Sequence, residues 1–368
     1  MKESLMKTAF GYVDSGQYDQ AVLIFDKILR LEPWSVEALD GKAFSLCCLG
    51  EIDKSLDALK KILKIDSGHI SSHYNAAKLY EVQDELDLAL ESYDKIIDLK
   101  PGESEAFFRK GRILFFRDAY NDGIACFDHA IDIAPDEAFE VLVEKGKLLS
   151  LIEKYKEAVE CYERALKLNP NDLDINVHIA EGYEDLNEPE KARANYEIAL
   201  KKVNTTTPEN LYRKGLIHQK IGEYKKALYC FDELIKFFPG NHEVLVDKAD
   251  VLSEMGLRDE SIEAYDKVLE KDPENDGALC GKACVFEDIA DDLLDDGELE
   301  RSIEYYDKSI AIEPSDPTPY LSKSYALVTL GRYKEAFECL EDALEIDPEN
   351  DMVLDVMNEI SEYVEVND

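Results

Sequence analysis

The sequence predicts an all-α solenoid built from stacked pairs of helices. Three observations predict it. Prolines recur at one spacing along the chain. Small residues stand at two fixed places within each period. A large apolar or aromatic residue stands at a third.

The prolines set the frame. Pro33, Pro101, Pro135, Pro170, Pro239, Pro273, Pro314 and Pro348 are separated by 68, 34, 35, 69, 34, 41 and 34 residues. These gaps are one or two periods of 34 with small insertions, and a fixed period of roughly 20–50 residues marks a repeat architecture. The two missing markers fall at Ser67 and Asn204. The chain divides into ten repeats, each numbered from 1 to 34 with the proline at position 32.

Position 8 is small throughout: Ala9, Ala43, Ala77, Gly111, Gly146, Ala180, Gly215, Ala249, Ala283 and Ser324. Position 20 is also small, from Ala21 and Ser55 to Ser302 and Ala336. Position 24 is large: Phe25, Leu59, Tyr93, Phe127, Tyr162, Tyr196, Phe231, Tyr265, Tyr306 and Leu340. Positions 4, 8 and 11 share one helix face, and so do positions 20, 24 and 27. Each repeat is therefore a first and a second helix, parted by Gly, Asn, Asp or Glu near position 15. Small residues let the two approach, and the large residue fills the space beside them. Proline ends the second helix because it cannot continue it. One pair cannot bury its apolar face alone, so the pairs must stack.

These residues carry a resemblance. The small-8, small-20, aromatic-24, proline-32 pattern resembles the tetratricopeptide repeat family, most closely in Gly11 to Pro33 and Ile221 to Pro239. The family's Trp at position 4 is replaced by Leu5, Leu39, Phe107 or Leu211. The resemblance covers residues 2–350. It implies a right-handed superhelical solenoid whose first helices line a concave groove, and a scaffold that binds peptides or partner proteins.

Three places depart from the pattern. Repeat 9 carries seven extra residues within Phe286 to Glu300. Two added turns keep the helical register, so its first helix is expected to be two turns longer. Phe286, Ile289, Ala290, Leu293 and Leu294 continue an apolar stripe, with Asp288, Asp291, Asp292, Asp295 and Asp296 on the other side. The extension reads either as a partner dock or as a tolerated insertion. It is no calcium loop, because counting from Gly297 puts Leu294 and Ile303 where ligands belong. Repeat 6 closes on Lys201 to Asn210, where Thr206 or Thr207 can cap the next helix ahead of Pro208. After Pro348, Val353, Val356, Met357, Ile360 and Val364 form one stripe across residues 351–368. The stripe supports two readings: a capping helix over the open end of the array, or a contact for self-assembly.

Composition narrows the function. Hydrophobic residues make up 45% of the chain and charged residues 33%, and the formal net charge is -39. Nucleic acids and anionic membranes need cationic surface, so neither is an expected partner. No run reaches the roughly 18 apolar residues of a membrane span, and the first residues lack the apolar core of a signal peptide. The expectation is a cytoplasmic protein with reduced thiols.

Nothing nominates an enzyme or a cofactor. The six histidines are scattered, and HExxH, GxSxG and P-loop motifs are missing. Cys126, Cys161, Cys230 and Cys339 all occupy position 23, which marks packing. Cys47 and Cys48 are adjacent and point apart. Cys280 and Cys284 lie four apart on one helix face, the only basis for a metal or redox reading. Zinc wants four ligands with paired spacing, so no metal site is expected.

The groove is the informative place. In the family resembled, positions 2, 5, 6, 9, 12 and 13 of the first helix face the concave side. Repeat 3 offers Tyr74, Asn75 and Lys78 there, and repeat 4 offers Phe108, Arg109, Arg112, Phe115 and Phe116. Repeat 5 adds Lys147, and repeat 7 adds Tyr212 and Arg213. Repeats 6, 8 and 9 offer carboxylates instead, among them Asp247, Asp250, Glu287 and Asp288. A cationic, aromatic patch thus interrupts a very acidic protein. Guanidinium groups recognise carboxylates by paired hydrogen bonds, and aromatic rings supply anchors. The expected ligand is a peptide or protein segment with acidic groups. The competing reading is that Arg109 and Arg112 pair with Glu105 or Glu144. Some family members clamp a C-terminal carboxylate. Of that residue set only Asn75 and Arg109 match, while Asp40, Phe44 and Glu105 stand at its other places.

Overall fold

A computed structural model describes residues 2–203 and 207–365, and Asn204 and Thr206 lie outside them. The described residues form helices in paired repeats and no strand. They fall into two compact units, Met1–Ala192 and Arg193–Asp368.

Unit 1 contains α1 (Lys2–Asp14), α2 (Tyr18–Leu31), α3 (Val36–Cys48), α4 (Ile52–Ile65), α5 (Ile70–Val82), α6 (Leu86–Leu99), α7 (Ser104–Phe116), α8 (Tyr120–Ile133), α9 (Phe139–Leu151), α10 (Tyr155–Leu168) and α11 (Leu173–Asp185). The boundary lies within α12 (Pro189–Lys202). Unit 2 continues with α13 (Pro208–Lys220), α14 (Tyr224–Phe237), α15 (His242–Glu254), α16 (Arg258–Leu269), α17 (Asp276–Asp295), α18 (Leu299–Ile312), α19 (Thr318–Thr329), α20 (Tyr333–Ile346) and α21 (Asp351–Glu365).

The break near position 15 is a backbone event. Gly16, Gly50, Asp84, Asp118, Glu153, Asn187, Gly222, Gly256, Gly297 and Gly331 all have positive φ between 56° and 77°. Each is the left-handed residue that stops a first helix. At the first, Gly16 N–H donates to Val13 O at 3.0 Å and Gln17 N–H to Tyr12 O at 2.8 Å. This pair of reversed bonds satisfies the last carbonyls of the helix. Four of the ten stops are not glycine.

The aromatic residues at position 24 build the core. Phe25, Tyr93, Phe127, Phe231 and Tyr306 are buried, and each stabilises its unit by about 1.5–3 kcal/mol relative to exposure. Each ring works in two directions. A Cβ at Gly111, in the same repeat, would stand 2.9 Å from the Phe127 ring. A Cβ at Gly41, in the following repeat, would stand 2.3 Å from Phe25 Cζ. Rings at position 24 thus limit the spacing within a pair at Phe127 and the spacing to the next pair at Phe25.

A second device repeats between pairs. Lys42 binds Asp26 at 2.6 Å, Lys110 binds Asp94 at 2.5 Å, and Lys145 binds Asp128 at 2.5 Å in unit 1. Lys248 binds Asp232 at 2.7 Å, and Lys282–Asp266 and Lys323–Asp307 both close to 2.5 Å in unit 2. Each joins position 25 of a second helix to position 7 of the next first helix.

The departures take definite form. α17 has 20 residues where the other first helices have 12 or 13. Its added turns are bound down: Leu293 is buried, Arg258 pairs with Asp292, and the Tyr306 hydroxyl donates to Asp291. Thr207 is the cap of α13, its side chain accepting from Asn210 N–H at 3.2 Å with Pro208 in the first turn. Thr206 lies outside the described residues. On α21, Val353, Val356 and Ile360 are buried against Leu340 and Ala343 of α20, with Met357 partly buried beside them. The Val364 side chain is outside the description. Cys126, Cys161, Cys230 and Cys339 are buried in the cores.

Candidate functional site

Three successive first helices of unit 1 line an open cavity of about 390 Å3. α7 contributes Phe108, Arg109 and Arg112, α9 contributes Val143, Glu144 and Lys147, and α11 contributes Ile175 and His178. These side chains converge because they share register within stacked helices. Arg109 and Arg112 are three apart on one face of α7, and Lys147 repeats the place of Arg112 one repeat later.

The cations are not equivalent. Arg109 Nε donates to Glu105 Oε1 at 2.7 Å. That hydrogen bond holds the guanidinium pKa above its ordinary value, with burial opposing. Lys147 stands 3.5 Å from Glu144, a loose exposed pair of small energetic weight. Arg112 makes no ion pair among the described residues. Its guanidinium lies over the Phe108 ring, 6.0 Å from the centroid, a cation–π contact.

The aromatic residues divide by depth. Phe108 is 7% exposed and packs on Phe127 with ring centroids 5.9 Å apart. The expectation of an exposed Phe beside Arg therefore holds for Phe116, which is 69% exposed, and not for Phe108. Position 5 lies at the edge of the helix face that packs into the core, so Phe108 forms the cavity floor. Phe115 is half-buried against the core.

Of the sequence-predicted residues, Phe108, Arg109, Arg112 and Lys147 line this cavity, and Tyr74, Asn75, Lys78, Phe115 and Phe116 do not. Tyr74 packs edge-on against Tyr93 at 6.1 Å, and its hydroxyl is buried. Burial first, then the Glu103 and Glu105 carboxylates, push its phenol pKa up. Asn75 and Lys78 are exposed on α5. Tyr212 and Arg213 belong to α13 of unit 2. The Tyr212 ring lies 6.2 Å from Phe231, and burial and Asp247 raise its phenol pKa.

Sequence reasoning missed Phe139, Glu140, Asp172, Asp174 and His178 on the cavity wall. His178 stacks on Tyr162 at 5.3 Å and reaches Glu181 at 3.1 Å. The signal existed, because Glu140 and Asp174 hold position 2 and His178 holds position 6. The wall is consequently mixed in charge, with carboxylates facing the cations.

In unit 2 a cavity of about 580 Å3 lies among Leu211, Lys214, His218, Tyr229 and Phe237, which sequence reasoning also missed. The carboxylates of Asp247, Asp250, Glu287 and Asp288 have raised pKa values, burial being the largest cause for each. Cys280 and Cys284 are exposed. Burial, then Cys280, pushes the Cys284 thiol up to about 11, against the thiolate that metal binding requires. Among the described residues no three His, Cys, Asp or Glu side chains cluster to hold a metal ion. No helix among them is long and apolar enough to cross a membrane.

Family models described as "Tetratricopeptide repeat" match residues 70–103, 139–172, 208–241, 242–275 and 318–350. The C-terminal part of a TPR repeat-containing protein from Cytophaga hutchinsonii is similar in fold, with a TM-score of 0.51 and 15% identity over 75% of this chain and 98% of that one. A tetratricopeptide repeat protein from Parabacteroides merdae gives a TM-score of 0.48 and 19% identity over 64% of this chain and 92% of that one. The "Protein CTR9 homolog" of Arabidopsis thaliana is 25% identical over 107 residues. That stretch is 28% of this chain and spans only 10% of the plant protein's length.

Proposed function

We propose, because the chain belongs to the tetratricopeptide repeat family, that it is a non-catalytic scaffold that holds an extended segment of a partner protein along the first helices of repeats 3–5. The segment carries acidic groups. The observation that carries this reading is Arg112, a guanidinium laid over Phe108 on a cavity wall and without an ion-pair partner among the described residues. In so acidic a chain, a cation left unneutralised beside apolar surface is available to an incoming carboxylate. Arg109, Lys147 and Lys78 add to the attraction, and Phe108 and Phe116 supply apolar contact. In this proposal residues 2–350 are ten repeats of one array, residues 351–368 cap it, and the protein works in the cytoplasm.

The test is capture of partners by wild type beside an Arg109→Glu, Arg112→Glu double variant that melts like wild type. Selective loss of a partner from the variant supports the reading. Capture of the same proteins by both overturns it.

A further inference from the structure

The ninth position of the first five first helices in unit 1 reads, in order, Phe10, Phe44, Lys78, Arg112 and Lys147, and the sixth, α11, places Glu181 there, which ends the cationic run. Two aromatic residues are followed by three cations, one per repeat. Phe10 is 36% exposed and Phe44 is 53% exposed, although each has an aromatic neighbour, Phe25 at 5.5 Å and Tyr18 at 6.2 Å. Lys78 and Arg112 make no ion pair among the described residues, and Lys147 has only the loose contact with Glu144. Arg112 and Lys147 line one cavity, so these two ninth-position side chains open into a shared space. Two helical turns earlier on the same helices stand Glu105 and Glu140. Glu105 is paired with Arg109, so Glu140 is the carboxylate that repels an acidic side chain displaced toward it, which sharpens the place where one can sit.

We infer that these five side chains read their ligand in register: two aromatic or large aliphatic residues lie against Phe10 and Phe44, and three acidic residues lie against Lys78, Arg112 and Lys147. Packed helices lie about 8–10 Å apart, and an extended chain advances about 3.3 Å per residue. One rung therefore matches about three ligand residues. The partner segment has the pattern aromatic, x, x, aromatic, x, x, acid, x, x, acid, x, x, acid, in one of the two chain directions. This inference rests on the groove reading above and adds the order and spacing of the ligand's side chains.

The test uses the full chain and labelled synthetic peptides of about 13 residues in fluorescence anisotropy. One peptide carries Phe and Glu in the stated pattern on a Ser and Gly background, and a second carries it reversed. A control for each has the same composition with its Phe and Glu residues contiguous. The expected result is that one patterned peptide binds at least about ten-fold more tightly than its control, a difference of about 1.4 kcal/mol. Phe44→Ser and Arg112→Glu should each reduce that preference several-fold. Equal binding of patterned and control peptides overturns the register. If that equal binding is lost in the Arg109→Glu, Arg112→Glu variant, the groove reading survives alone. If no peptide binds, or charge reversal changes nothing, both fall.

Discussion

A Cβ on Gly146 would stand 2.5 Å from Cε1 of Tyr162. Helix α9 approaches α10 closely because residue 146 has no side chain. Tyr162 is buried in the core of unit 1, so its ring cannot simply swing into solvent. Gly146→Val should destabilise the protein by about 1–3 kcal/mol, the usual range for overpacking a tight interior. Urea unfolding followed by circular dichroism would check it. An unchanged midpoint would mean that the ring yields freely.

Glu153 stops α9 at φ 60°, a conformation that puts an L residue's Cβ against the following carbonyl at about 1–2 kcal/mol. Glycine avoids that strain but loses about 0.5–1 kcal/mol in chain entropy. Glu153→Gly should therefore stabilise by roughly 0.5 kcal/mol, read as a higher thermal midpoint. Asn187→Gly should do less, because asparagine visits this region readily. Equal gains at both positions would contradict the strain argument.

Lys110 and Asp94 join the third repeat to the fourth at 2.5 Å. The lysine side chain is 26% exposed and the carboxylate 50%, so solvent screens the pair substantially. A double-mutant cycle with Lys110→Met and Asp94→Asn should give a coupling energy of about 0.5–1 kcal/mol. A value near zero would show the ladder to be geometric rather than energetic.

Acidification should stabilise unit 2 before it harms it. Asp247, Asp250, Glu287 and Asp288 have folded pKa values above their unfolded ones. As pH falls from 7 toward the unfolded values, the native state takes up the extra protons and gains stability. Glu223, Glu263 and Glu335 are held low by Arg or Lys partners, and their contribution is lost only at lower pH. His218 opposes the trend, because burial lowers its pKa and the unfolded state binds its proton first. Four carboxylates outweigh one imidazole, so the thermal midpoint should rise between pH 7 and about 5. Asp250→Asn should flatten that rise. A midpoint that falls steadily over the same interval would reverse the assignment.

The pairing of helices was legible because it depends on residue size at fixed places. A small residue at 8 and a ring at 24 can be seen in a bare string, and so can the break at 15. The face of Phe108 was not legible. Helical period assigns a side chain to a stripe, and position 5 lies on the edge between groove and core. The Lys–Asp ladder was hidden for another reason. Position 25 meets position 7 only across two different repeats, and no periodicity within one repeat reveals which neighbours will touch. The burial of Asp250 was likewise invisible, since it follows from Tyr265, whose hydroxyl donates to that carboxylate.

The ladder makes the length of the chain editable. Every rung uses the same two residue types at the same two places, so a second helix that carries the aspartate presents the socket that a first helix carrying the lysine fits. Excising Ser104 to Ala138 would remove α7 and α8 together, and with them Lys110 and Asp128. The stranded Asp94 and Lys145 would then meet each other, an aspartate and a lysine in the places their lost partners held. Deleting a repeat that has a rung at both ends, as here, leaves no orphaned charge at its seam. Such a chain can lengthen or shorten in whole rungs between these junctions while its joints remain compatible.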